Sequence, residues 1–296
     1  MGEPSRESFA LRLRRAMDQF TPSERQLAAT LLADYPAAGL QSSVRLAEIA
    51  GVSTPTIVRM ARKLGYDGFT AMQEVMRQEV SEQVKKPASK HAEWHARGSD
   101  RHTVNQFGDL VSANLRATLD ALDLSTFDQV AALLSDTQRS VLIAGGRITR
   151  TLADHLHNHL HILRPGVSQM GTSAHLWPHA LLDLGPGSIL VLFDIRRYQS
   201  DYPLIAELAQ KRGAEIVLFT DQWGSPVSSH ANHVFAANVE ALTSWDSTMT
   251  LMFLVEALIA EVSNRLWSVS RKRVDELEDM FDCLGTFGGG HDNGGA

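Results

Sequence analysis

The stretch that most constrains this chain is Leu46-Ala-Glu-Ile-Ala-Gly-Val-Ser-Thr-Pro-Thr-Ile-Val-Arg-Met60, which reads as two short helices meeting at a tight turn. Ala47 is small enough to let a second helix cross closely. Gly51 falls at the turn, where a left-handed backbone is readily reached only without a Cβ. Ser53 is placed to cap the following helix, and Pro55 lies in its first turn, where a missing N–H costs nothing. Within that helix Ile57, Met60, Ala61 and Leu64 recur on an inner face, while Thr56, Arg59 and Lys63 share the outer one. Such a helix suits a DNA major groove: Arg59 can bond guanine edges, and Thr56, Arg62 and Lys63 can reach phosphates or bases. Ser53 and Thr54, at the helix start, complete the set expected at DNA. The bland alternative is a small helical module with a solvated stripe. A small residue, a turn glycine, a capping serine and an inner apolar face seldom coincide in that case.

The surroundings place this motif in a two-domain chain. The length of 296 residues is about twice a typical domain, and a hydrophobic fraction of 44% supports a large core beside a smaller one. Residues 6–80 show apolar spacings of three and four, broken at Thr21-Pro22, Pro36 to Gly39, Gly51 and Gly65 to Gly68, which predicts five compact helices in a domain over 1–80. A polar stretch over 81–102, with Lys85, Lys86, Pro87 and Gly98 and only Trp94 as a large apolar residue, reads as a linker. From 103 to 284 a second domain is expected. It begins with two helices before residue 137 and continues with four apolar runs, Ser140–Ala144, Ser188–Phe193, Glu215–Thr220 and His233–Ala236, and with helices at 151–163, 202–212 and 247–266. Strands separated by helices predict a parallel sheet covered on both faces, so the fold class is an all-α domain followed by α/β. The glycine-rich end, 285–296, reads as a loose tail. The net charge of −6 is uneven, with about +2 on residues 1–86 and about −8 on the rest, so the basic end is the one expected at nucleic acid.

Three segments together carry a family resemblance: Thr21-Pro-Ser-Glu-Arg25, Leu46 to Ser53, and Arg59 with Lys63-Leu-Gly-Tyr-Asp-Gly-Phe69. In these the chain resembles the RpiR/MurR family of sugar-metabolism regulators, over nearly its whole length. The resemblance implies an N-terminal helix-turn-helix domain, a C-terminal SIS (sugar isomerase) domain that senses phosphosugars, and a homodimer or homotetramer bound to double-stranded operator DNA. It also marks Leu64 to Phe69 as the signature closing the recognition helix. On physical grounds Gly65 is a helix stop, and Tyr66 and Phe69 pack the next turn against the bundle.

In a parallel α/β domain, ligands bind beyond the carboxyl ends of the strands. Two loops qualify here. Ala144-Gly-Gly-Arg-Ile-Thr-Arg150 stands where SIS domains carry a Gly-x-Gly-x-Ser loop; Gly145 and Thr149 keep that pattern, with Gly146, Arg147 and Arg150 beside them and Arg147 in place of the second glycine. Asp194-Ile-Arg-Arg-Tyr-Gln-Ser200 stands in the place of the usual Ser-x-Ser-Gly-x-Thr phosphate grip, and its hydroxyls are replaced: Asp194 for the first serine, Arg196 and Arg197 for serine and glycine, Gln199 for threonine. Guanidinium forks still favour a carboxylate or phosphate, so the expected effector is a small anionic metabolite held between these loops. The alternative for Arg196 and Arg197 is a salt-bridged interface with an empty pocket. Thr220-Asp-Gln-Trp223 and Ser244-Trp-Asp-Ser-Thr248 stand in second rank, with Ser244 and Ser247 either donating to an anion or capping a helix.

Other signals point to little chemistry. His155, His157, His159 and His161 form i,i+4 pairs, but no third ligand follows in sequence, so no metal and no cofactor is expected. The single cysteine, Cys283, can form no internal disulfide, and no apolar stretch approaches the roughly 18 residues of a membrane span, which leads us to expect a cytoplasmic protein. Arg271-Lys-Arg273 reads as part of a solvated face. Two competing functions stay open: a SIS-fold sugar-phosphate isomerase, disfavoured because no carboxylate or histidine pair is visibly poised for proton transfer, and a DNA-binding protein that ignores ligands.

Overall fold

The structure is a computed structural model in which residues 9–33, 35, 37–84 and 101–286 are described. The chain divides into two compact units, one of Met1–Leu122, Asp194–Pro203 and Leu218–Leu251, the other of Asp123–Phe193, Leu204–Val217 and Met252–Ala296.

The first unit contains the five expected helices: α1 (Phe9–Arg15), α2 (Pro22–Ala33), α3 (Ser43–Ala50), α4 (Thr54–Lys63) and α5 (Phe69–Val84). Their apolar faces meet in one core of Phe9, Leu13, Leu27, Leu31, Leu46, Ile57, Met60, Met72 and Met76 with smaller neighbours. Leu46, Ile57 and Met60 are wholly buried, each contributing roughly 1.5–3 kcal/mol. Tyr66 and Phe69 lie half-buried against this core, as their spacing predicts. Two local devices start and stop the helices. Thr21 and Glu24 form a capping box at the head of α2, with Thr21 N–H donating to Glu24 Oε2 at 2.8 Å and Glu24 N–H to Thr21 Oγ1 at 3.4 Å. Gly51 ends α3 at φ +61°, so that its own N–H reaches Glu48 O at 3.2 Å and that of Val52 reaches Ala47 O at 3.0 Å, a closure that a residue with a Cβ would strain.

Helix α5 continues through Val84 and α6 spans Thr103–Ala121, so the ends of the expected linker are helical or abut a helix. The rest of that linker, 85–100, lies outside the described residues, as do 287–296 of the expected tail.

The α/β part runs α7 (Leu124–Ser135), β1 (Val141–Gly145), α8 (Arg150–Leu163), β2 (Val167–Gln169), α9 (Trp177–Leu182), β3 (Ile189–Asp194), α10 (Tyr202–Lys211), β4 (Glu215–Asp221), β5 (His233–Ala237) and α11 (Met249–Leu284). The five strands are ordered β2-β1-β3-β4-β5, with β1 parallel to both neighbours and Gly145 in register with Phe193. All six residues of β3 are buried, the mark of a strand covered on both faces. Strand β2 and helix α9 were not foreseen: β2 has three residues and buries only Val167, and α9 has six residues, too little in either for a periodic signal. The expected helix at 247–266 is α11, which runs 36 residues rather than ending near 266. In the second unit Arg164 is fully buried and donates to Leu134 O at 2.7 Å, to Pro165 O at 3.1 Å and to Arg139 O. It thus satisfies a carbonyl at the end of α7, where a cation is favoured.

This strand order reverses between β1 and β3, and in open α/β sheets ligands bind beyond the strand ends at such a point.

Candidate functional site

In the first unit α4 buries Thr56, Ile57, Met60 and Ala61 and exposes Pro55, Arg59, Arg62 and Lys63, with Thr54 and Val58 half-buried. The inner arc is wider than the spacing suggests, and this corrects the expected place of Thr56. It is 4% exposed and cannot lie on the outer face. Its hydroxyl instead sits 2.9 Å from Ser53 Oγ and accepts from Arg59 Nη2 at 3.1 Å. Ser53 takes the N-cap position, but its side chain caps no backbone N–H, because the hydroxyl is engaged with Thr56. The result is a Ser53–Thr56–Arg59 chain that holds the guanidinium at the surface. The Arg62 side chain, one turn on, has no hydrogen-bonded partner among the described residues.

Lys63 is on the exposed face, as expected, and is also engaged within the bundle. Its ammonium donates to Glu24 Oε2 at 2.8 Å and to Gln19 O at 3.0 Å, tying the end of α4 to the head of α2. Burial pushes the Glu24 carboxyl up, but Lys63 and the Thr21 backbone and hydroxyl outweigh it, and the group sits below the usual carboxylate value. Lys63 therefore braces the end of the recognition helix, with its charge matched by the buried Glu24 carboxylate at the surface of the bundle.

In the second unit the loop after β1 is closely built. A Cβ on Gly145 would come within 2.6 Å of Thr149 O and 2.8 Å of the Arg150 backbone nitrogen, so only glycine fits. The Thr149 hydroxyl, expected to face a ligand, is buried; it donates to Phe193 O at 2.7 Å and accepts from Gly146 N–H at 2.9 Å. Two of the groups a phosphate would use thus hold the loop to the end of β3. Arg147 is exposed, and half-buried Arg150 lies 3.6 Å from Asp154.

In the first unit the loop after β3 is held by buried ionic groups. Asp194 accepts from Gln199 N–H at 2.9 Å and from the Ser225 hydroxyl. Asp221, fully buried, accepts from Arg196 N–H at 2.7 Å, Tyr198 Oη at 2.9 Å, Trp223 N–H at 3.0 Å and Gly224 N–H at 3.2 Å. Burial raises both carboxyls to about 6 against these bonds, and the charge of Asp221 adds to the rise at Asp194. The Arg196 guanidinium is not open to solvent. It grips Asp246 through two bonds of 2.8 Å, lies 3.6 Å from the Trp223 ring centroid, and both charged side chains are 6–7% exposed. Arg197 is exposed and Gln199 half-buried. Ser247 accepts from Met249 N–H at 3.3 Å and so caps α11, while Ser244 stays half-buried in the preceding loop.

Sequence reasoning missed the roles of Tyr198, Asp221, Ser225 and Asp246. Asp221 and Asp246 lay inside the two segments flagged in second rank, so their position was legible and their bonding was not. Among the described residues no group of three or more His, Cys, Asp or Glu is arranged to hold a metal ion, and no helix is long and apolar enough to cross a membrane.

An exposed arginine face on a recognition helix, in one chain with a sheet of this order, points to a DNA-binding regulator with an α/β domain, and the comparisons with known proteins agree. Residues 8–83 match the helix-turn-helix domain of the rpiR family, and residues 133–261 match the SIS domain. The chain belongs to the rpiR family and is a transcription regulator with a helix-turn-helix and a SIS domain. It is 24% identical over 282 residues to an uncharacterized HTH-type transcriptional regulator of Thermotoga maritima, covering 90% of this chain and 98% of that one. The sugar isomerase domain of an RpiR transcription factor from Sphaerobacter thermophilus matches at a TM-score of 0.56 and 20% identity, covering 60% of this chain and 99% of that one. The Vibrio vulnificus NanR protein complexed with ManNAc-6P matches at a TM-score of 0.50 and 18% identity, over 93% and 98% of the two chains.

Proposed function

We propose that this chain acts in the cytoplasm as a symmetric homo-oligomer that binds operator DNA through α4, and that a small anionic metabolite bound in its SIS domain modulates that binding without being transformed. The observation that carries the DNA half is the exposed Arg59 and Arg62 of α4, with Arg59 steered by Thr56. Ser53 and Thr54 stand at the start of the helix, Thr56 steers Arg59 from its buried side, and Lys63 braces the last turn against Glu24. One helix-turn-helix reads few base pairs, so a two-fold assembly on a palindromic site supplies the missing specificity.

For the effector half we place the anion at the loop after β3, where Arg196, Arg197 and Gln199 lie just past the strand end. Guanidinium forks suit either a phosphate or a carboxylate. NanR of Vibrio vulnificus, of the same fold, carries a phosphorylated sugar, which supports the phosphosugar member of that class. To test this, the full chain is used to select fragments from genomic DNA, and its affinity for the selected fragment is measured with a panel of sugar phosphates, the parent sugars and dicarboxylates. A shift of about 5- to 150-fold with one charged compound and none with its neutral parent is expected. Selection of no fragment overturns the DNA half; a selected fragment with no response across the panel overturns the effector half.

A further inference from the structure

The anion position of Arg196 is occupied by a group of the protein itself. Asp246 meets the guanidinium with two parallel bonds of 2.8 Å, the geometry in which that fork receives a free carboxylate or phosphate. The two side chains are 6% and 7% exposed, and the indole of Trp223 closes one face of the guanidinium. Asp246 does not belong to a helix or strand. It sits in the irregular segment 238–248 between β5 and α11, beside Trp245, which is half exposed.

The segment is also fastened to Gln222, whose Oε1 accepts from Val239 N–H at 3.0 Å, and to α6. Asn114 Nδ2 donates to Glu240 O at 2.7 Å, and Asn238 N–H donates to Thr118 Oγ1 at 2.9 Å. Asn114 and Thr118 are each 1% exposed on α6, the helix that follows residues 85–100 in the chain. At its other end Ser247 N–H reaches Val239 O at 2.9 Å, closing the segment on itself just before α11.

We propose that Asp246 is an internal ligand of Arg196, and that an anionic effector binds by displacing it, which frees the segment 240–248 and loosens its hold on α6. This rests on the reading that an anion is bound at the loop after β3, and it adds how that site is kept closed. A competing carboxylate on the same chain lowers the apparent affinity for a free anion by the fraction of time the guanidinium is vacated. A ligand that makes two bonds to Arg196 then differs in affinity between the closed and released arrangements of the segment, which is the condition for a signal.

The test uses the full-length protein, with inorganic phosphate and glucose 6-phosphate as probes. Calorimetric titration of Asp246→Asn, which keeps the side-chain shape and removes its charge, is expected to give affinity about tenfold or more above the wild type. The added substitution Arg196→Gln is expected to abolish the gain. Hydrogen–deuterium exchange on the wild-type chain needs no variant: saturating probe is expected to speed exchange of the amides in 241–248, Ser247 included. Equal affinity of Asp246→Asn and wild type, or protection of 241–248 on binding, overturns internal competition and leaves an anionic effector standing. Binding of neither probe to either protein overturns both.

Discussion

Replacing Lys63 by methionine separates two roles that the sequence alone does not distinguish. Its ammonium meets Glu24 Oε2 at 2.8 Å and Gln19 O at 3.0 Å; the carboxylate is 4% exposed and the lysine 35%. A charge-assisted bond to a buried partner contributes about 1.5–3 kcal/mol, and a partner one-third in water reduces that to about 1–2 kcal/mol. Methionine keeps an unbranched side chain of similar length, removes the ammonium 5.8 Å from the Phe20 ring centroid, and leaves Glu24 with the Thr21 N–H as its main partner. The full chain is assayed in two ways. Native-state hydrogen exchange of the peptide covering residues 21–27 should rise about 5- to 30-fold, the equivalent of that loss. The salt dependence of DNA binding should stay within about half a unit of the wild-type slope, because a residue that makes no phosphate contact releases no counterion. A drop in slope of about one unit with unchanged exchange would refute the bracing role and make Lys63 a phosphate ligand.

Three further outcomes follow from the same structure. Gly145→Ala forces a Cβ against the backbone of Thr149 and Arg150 at 2.6–2.8 Å and should destabilise the α/β part by about 2–3 kcal/mol, read as a lower urea midpoint in tryptophan fluorescence. Glu79, buried, accepts from Phe9 N–H at 2.7 Å and from the Tyr35 hydroxyl, and burial raises its carboxyl from 4.5 to about 7 against those bonds. The folded chain therefore holds this proton where the unfolded chain loses it, so stability should fall as pH climbs from about 4.5 to 7, by on the order of 3 kcal/mol, and level off above. Glu79→Gln should flatten that slope and raise the thermal midpoint of the helical domain at pH 8 but not at pH 4.5; equal slopes in the two proteins would show that Glu79 is ionised in the fold.

How much of this was legible depended on the range of the interaction. The helix-turn-helix was readable because its signals are local: Gly51 and Pro55 act within a turn of themselves, and the inner face repeats every three or four residues. The sheet was readable from continuous apolar runs, except for β2, where one buried valine makes no pattern. Bonding between distant residues was not readable. Lys63 and Glu24 are 39 positions apart and Arg196 and Asp246 are 50 apart, so the sequence displays two free cations where the fold has two ion pairs. Thr56 failed for another reason: helical phase places it near the edge of the buried arc, and only packing decides on which side it falls. Thr149 kept a hydroxyl at a position implied by family resemblance, but a hydroxyl serves a backbone carbonyl as readily as a ligand.

The central claim is that the exposed arginine face of α4 reads DNA. Its most direct test is selection of genomic fragments by the full-length protein, in parallel with Arg59→Ala and with Arg62→Ala, and with Arg271→Ala on α11 as a control. The wild type and the control should enrich the same short sequence. Arg59→Ala should lose preference at one or two positions of it, a cost of about 1–3 kcal/mol each, and Arg62→Ala should bind more weakly or with altered preference. Enrichment of the same sequence at the same affinity by both α4 variants would contradict the claim.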